Sequence, residues 1–169
     1  MPRPSPPLPC DGRPMALASS ARAVGPRLHR HALSPRSLTH VIGLSKSELG
    51  EAVGVSSQAI KRWQRLDWPD PPEDVWEYLE SMVEIFVSMK NQIVLSCQDK
   101  RCVRLLYFRT VDEFEHLAVS RYPVGFVNAV ARDAWRALAG FGVSVEFDYP
   151  EEGRTIELNG PSDMIVSSD

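Results

Sequence analysis

The chain has 169 residues, 43% hydrophobic and 24% charged, with a net charge of -3 and a pI near 5.8, a composition ordinary for one globular domain or two small ones. That balance argues against a generally basic nucleic-acid binder, and no apolar run approaches the length of a membrane span. The charge is uneven, however: residues 1–66 carry 10 Lys and Arg against 3 Asp and Glu, net +7, and residues 67–169 carry 9 against 19, net -10. A basic front and an acidic back suit a protein that presents one end to DNA and keeps the other for itself or a partner. Cys10, Cys97 and Cys102 lack the paired spacing of a zinc site, and an odd count does not suggest a disulfide framework, so reduced thiols in a cytoplasmic protein are expected. His29, His31, His40 and His116 are scattered, and no metal or other cofactor is expected.

The first 35 residues hold eight of the 14 prolines, with Arg, Ala and Ser between them. No packed core can form from that composition, so a disordered extension is expected. Met15 is another candidate start, so an over-long start assignment is one origin for such an extension. The functional alternative is a basic arm whose Arg3, Arg13, Arg22, Arg27, Arg30 and Arg36 meet phosphates or a minor groove. The prolines oppose the amphipathic helix of a transit peptide. From Ser37 to Gly43, Leu38, Val41 and Ile42 fall at helical spacing and predict a short first helix.

Ser45 to Trp63 carries the most information. Ser45 with Glu48 three residues on forms a capping-box pattern, so a helix starts near Lys46. Leu49, Ala52 and Val53 make its apolar stripe, and Gly54 offers the positive φ that ends it. Ser56 caps a second helix in which Ala59, Ile60 and Trp63 share one face. The other face holds Ser57, Gln58, Lys61, Arg62 and Arg65 without a carboxylate. Capped helix, glycine corner and capped helix are the grammar of a DNA-reading helix-turn-helix. An amide such as Gln58 can pair with adenine, Lys61 or Arg62 can donate to guanine, and Ser56, Ser57, Arg65 and Lys46 can hold the DNA backbone.

After prolines 69, 71 and 72 a long helix is predicted from Asp70 or Pro72, with Glu73 and Asp74 favouring its positive end. Its stripe of Val75, Trp76, Leu79, Met82, Val83, Phe86, Met89, Ile93 and Cys97 runs for roughly 35–40 Å. It serves as a core helix, as a link between subdomains that helps form a dimer, or as both. Arg104–Arg109 reads as a buried strand, Thr110 as the cap of an acidic helix, and Val124–Ala139 as a further helix with Phe126, Val127, Val130, Ala134, Trp135 and Leu138 on its apolar side. Val143–Tyr149 alternates as a half-buried strand, Thr155–Leu158 suggests a short edge strand, and the last residues are expected to fray. Trp63, Trp76 and Trp135 are read as core.

Ser45–Trp63 resembles the Xre/Cro-type helix-turn-helix regulators, whose pattern continues with an acid and a glycine where this chain has Gln64 and Leu66. Residues 37–149, through Pro-Pro-Glu-Asp-Val at 71–75, Leu-Tyr-Phe-Arg-Thr-Val-Asp-Glu-Phe at 106–114 and Val-Gly-Phe-Val-Asn-Ala-Val at 124–130, resemble the anti-CRISPR-associated autorepressors and the YdiL-like bacterial proteins. The resemblance implies a bacterial or phage homodimer that binds an inverted repeat in double-stranded DNA near its own promoter, and in some members RNA. It implies a cytoplasmic, nucleoid-associated protein, and places Gln58, Lys61 and Arg62 at base-reading positions.

The expectation is therefore an α+β fold, with an N-terminal all-α helix-turn-helix bundle joined by a long helix to a small C-terminal α+β dimerisation layer. Residues 1–35 form the extension, 36–100 the DNA-binding domain with its linking helix, 101–150 the dimerisation domain and 151–169 a tail. The expected function is a sequence-specific transcriptional regulator, a dimeric autorepressor. The alternative is a protein-interaction or antitoxin-like module with a secondary DNA- or RNA-binding role. No paired carboxylates, nucleophile elbow or phosphate loop supports an enzyme.

Overall fold

A computed structural model of the chain describes residues 34–63, 70–151 and 153–166. Residues 1–33, which hold most of the expected extension, and residues 64–69, with Arg65, Gln64 and Leu66, lie outside the described residues. The chain is an α+β fold, with helices α1 (Pro35–Ile42), α2 (Lys46–Val53), α3 (Ser57–Trp63), α4 (Glu73–Cys97), α5 (Val111–Leu117) and α6 (Val124–Gly140). Strands β1 (Cys102–Leu106), β2 (Ala118–Ser120), β3 (Ser144–Asp148), β4 (Ile156–Leu158) and β5 (Ile165–Val166) form two small sheets. The first has the order β3-β1-β5, with β1 parallel to β3 and antiparallel to β5, and the second pairs β2 with β4 in parallel. No helix among the described residues is long and apolar enough to cross a membrane.

α4 is the spine. Val75, Trp76, Leu79, Met82, Phe86, Met89, Ile93 and Cys97 are buried along it, and Val83 is half-buried. Against this stripe lie α6, α1 and the 3-10 turn at Pro161–Met164. The Phe86 ring meets Phe126 of α6 edge-on at 5.9 Å, and Tyr122 stacks on Phe126 at 5.0 Å. Burial pushes the Cys97 thiol above its usual range against the opposing pull of Lys100, because an interior without water penalises the thiolate. Apolar contacts run without a break from Leu38 in α1 to Met164 near the C-terminal end.

α1 starts earlier than its spacing suggested, because Ser34 accepts the Ser37 N–H and Pro35 occupies the first turn. Leu38 and Ile42 are buried, whereas Val41 is 60% exposed. α1 ends at Gly43, with φ 74°, where the backbone closes on Gly125 at the start of α6. A Cβ on either glycine would overlap the carbonyl oxygen of the other. No other residue type fits this joint without moving one helix off the other.

Other departures from the expected elements have local causes. β1 begins two residues earlier than expected and ends at Leu106. Beyond it the backbone of buried Phe108 is satisfied by the Asn128 side chain, which accepts the Phe108 N–H at 3.0 Å and donates to its carbonyl at 2.7 Å. The amide replaces a neighbouring strand, so the sheet stops while the burial continues. Trp135 is 41% exposed rather than core, leaning edge-on against Phe147, while Trp76 is buried and Trp63 half-buried. Tyr149, which the alternation of Val143–Tyr149 puts on the same face as Val143, Val145 and Phe147, lies beyond the end of β3 and is exposed. Within the expected tail, residues 153–166 are folded onto the rest: β4, over most of the expected edge strand, pairs with β2, Met164 is buried, and Ile165 and Val166 extend the first sheet beside β1.

Candidate nucleic-acid interface

The pair α2 and α3 is built from local chemistry. Ser45 Oγ accepts the Glu48 N–H at 3.2 Å, and Glu48 Oε2 accepts the Ser45 N–H at 2.6 Å, which completes the capping box. α2 stops at Gly54, whose φ of 69° turns the chain, and the Val55 N–H closes back on the Gly50 carbonyl at 2.9 Å. Ser56 Oγ then accepts the Ala59 N–H at 3.3 Å and starts α3. Half-buried Val55 and Ile60, 2% exposed, pin the corner to the core.

Gly50 sets how close the two helices come. A Cβ there would lie 2.6 Å from the Val55 carbonyl oxygen and 3.3 Å from Ile60 Cδ1. Its burial also explains why Ala52 is exposed: with Leu49 and Gly50 both on the packed arc, the next helical steps carry Ala52 out of it while Val53 stays half-buried. Sequence reasoning overlooked Gly50. The available signal was a glycine inside an eight-residue helix, where it costs about 1 kcal/mol relative to Ala unless a close approach needs it.

The structure brings Ser57, Gln58, Lys61 and Arg62 together on the exposed side of α3, opposite Ile60. Lys46 is exposed on the first residue of α2, and Ser56 is exposed with its hydroxyl oxygen engaged as a cap. Arg65 lies outside the described residues. The exposed face of α3 carries amide, hydroxyl, ammonium and guanidinium groups and no acid, while the Glu48 carboxylate is turned onto its own helix start. Tyr78 of α4 is half-buried, and burial first, the Glu48 charge second, push its phenol above the ordinary value.

The clefts elsewhere have a different character. One of about 720 Å³ beside β1 and β5 is lined by Arg104 and Arg154 together with Asp148, Glu151 and Asp163. Another of about 710 Å³ sets Arg109 and His116 beside Asp112 and Glu113. Both mix signs, and Arg104 is paired with Asp148 at 3.5 Å. Among the described residues no three His, Cys, Asp or Glu side chains gather as a metal-binding group. Compared with known proteins, the chain matches no family model and no curated protein.

Proposed function

We propose that the chain is a sequence-specific DNA-binding transcriptional regulator, a dimeric autorepressor in which α2 and α3 act as a helix-turn-helix. One observation carries this reading: the exposed, acid-free face of Ser57, Gln58, Lys61 and Arg62 on a helix whose opposite side is fixed by Ile60. An α-helix fits the major groove, and these groups match what the groove offers. Gln58 reads adenine N6 and N7, and Lys61 and Arg62 read guanine O6 and N7. Ser56, Ser57, Arg65 and Lys46 hold phosphates. The edge strand β3, with half-buried Val145 and Phe147, supports pairing of two copies. A dimer would set two reading helices about 34 Å apart, one turn of duplex, over an inverted repeat.

Selection of binding sites from random duplex DNA at fixed salt tests the reading, with enrichment of a two-fold-related motif as the expected result. Lys61→Ala or Arg62→Ala is expected to cost about 1–3 kcal/mol of binding and to flatten preference at one position per half-site. Unchanged, sequence-selective binding by the double variant in a shift assay would remove α3 from the base-reading role. Failure to enrich any motif would transfer the function to protein interaction by the acidic half.

A further inference from the structure

We propose that Asn159–Gly160 is a self-modification site, where the Gly160 nitrogen can close on the Asn159 side chain as a succinimide, and that the Asp163 carboxylate holds it shut in the folded chain. The site is independent of the DNA-binding reading. It lies between β4 and the 3-10 turn at Pro161–Met164. In the reaction the Gly160 backbone nitrogen loses its proton and bonds to Cγ of Asn159, the Cγ–Nδ2 bond breaks, and ammonia leaves. Water then opens the ring at either carbonyl, which restores the Gly160 N–H and leaves aspartate or isoaspartate at position 159.

The three asparagines of the chain differ in what restrains them. Asn128 is buried, with its amide bonded at both ends to the Phe108 backbone. Asn91 lies inside α4, where the N–H of the next residue, Gln92, belongs to the helix ladder. Asn159 is exposed, and among the described residues no hydrogen bond holds its side-chain amide away from the backbone. Gly160 follows it, so no Cβ screens the attacking nitrogen. The fold does not require a glycine there: its φ of -161° is extended backbone, and a Cβ would meet nothing within 4 Å.

What the fold supplies instead is a latch. Asp163 Oδ2 accepts the Gly160 N–H at 2.9 Å and the Asn159 N–H at 2.8 Å, and the Asp163 N–H closes on the Gly160 carbonyl at 3.3 Å. An amide nitrogen attacks only once its proton is lost. A carboxylate against that N–H opposes the loss, because the nitrogen anion would face a second negative charge at hydrogen-bond distance. The succinimide has no N–H at Gly160, so closing the ring also forfeits a charge-assisted bond. Beyond the latch the chain runs through buried Met164 into β5, which pairs with β1. Isoaspartate inserts a methylene into the backbone just ahead of the turn, so conversion loosens β5 from β1.

The test incubates the folded full chain in weakly alkaline buffer and follows residues 156–164 by peptide mass spectrometry, with isoaspartate scored separately. Asp163→Ala is expected to speed conversion at Asn159 about tenfold, as befits one charge-assisted hydrogen bond. Gly160→Ala, which the backbone accommodates, is expected to slow it below the wild-type rate, and Asn159→Gln to give no product over the same period. Wild-type chain unfolded in guanidinium chloride supplies the unlatched rate, so the latch is tested even if Asp163→Ala does not fold. Equal rates in folded and unfolded wild type, or a folded Asp163→Ala no faster than wild type, would overturn the latch. No conversion at Asn159 in the unfolded chain would overturn the site itself. Faster amide exchange in β5 is expected once Asn159 is converted, and unchanged exchange there would overturn the loosening of β5.

Discussion

Helices α1, α2 and α3 span eight, eight and seven residues and are fastened at their ends, whereas α4 and α6 span 25 and 17 residues and are fastened along their sides. The short helices start on Ser34, Ser45 and Ser56, each accepting a backbone N–H, and α1 and α2 finish on left-handed glycines. The long ones start after Pro72 and Pro123, which have no side-chain oxygen to accept an N–H. The reason is scale. A helix of two turns leaves as many orphan backbone groups at its ends as one of seven turns, but has far less apolar face to offset them. End chemistry therefore decides whether the short helices form, and burial decides for the long ones. In the first region Ser57, Gln58, Lys61 and Arg62 consequently stay exposed on α3 while Ile60 alone of that helix is buried.

Four substitutions test that division. Phe126→Ala removes the ring that meets both Phe86 and Tyr122 and is expected to destabilise the fold by about 3–5 kcal/mol in urea unfolding; a loss below about 1 kcal/mol would mean that side packing is not what holds α6. Gly43→Ala sets a methyl against the Gly125 backbone at a positive φ and should cost about 2–4 kcal/mol, read as a lowered Tm. In Asn128→Ala the Phe108 N–H and carbonyl lose their partner inside the protein, for an expected loss of about 2–3 kcal/mol, with faster amide exchange at Phe108 as its local signature. Ser45→Ala, which removes half of one capping box, is expected to cost about 1 kcal/mol and to fray α2 while leaving exchange in α4 unchanged. A global loss of protection from that last change would refute the division between end-held and side-held helices.

The same contrast explains what the sequence could disclose. Capping and turn residues act within three or four positions, so Ser45 with Glu48, Gly54, Ser56 and Thr110 could be read directly, and so could the long stripe of α4. The exposure of Gln58, Lys61 and Arg62 followed from the same periodicity. The short strands were hidden. β2 and β5 span three and two residues and exist only through β4 and β1, far away in the chain, so no local pattern announces them. Asn128 was invisible for the same reason, since its importance lies in Phe108, twenty residues earlier. Trp135 shows the limit of treating an aromatic residue as core: helical phase placed it beside Ala134, but its ring is only half covered, at the rim of β3. Arg36, His40 and Lys46 line one cleft only because the turn at Gly43 joins α1 to α2, a meeting that no local pattern announces.

The contact between Gly43 and Gly125 also bears on how this chain could be recombined. Each glycine is tolerable only while the other remains, so substitutions at the two positions should be strongly non-additive. A hybrid that grafts residues 34–63 onto a foreign body would have to carry the opposing glycine of α6 with it, although that residue lies some eighty positions downstream. The N-terminal helices are therefore not an interchangeable cassette, and shuffling that respects the apparent boundary after residue 100 would cut through a matched pair.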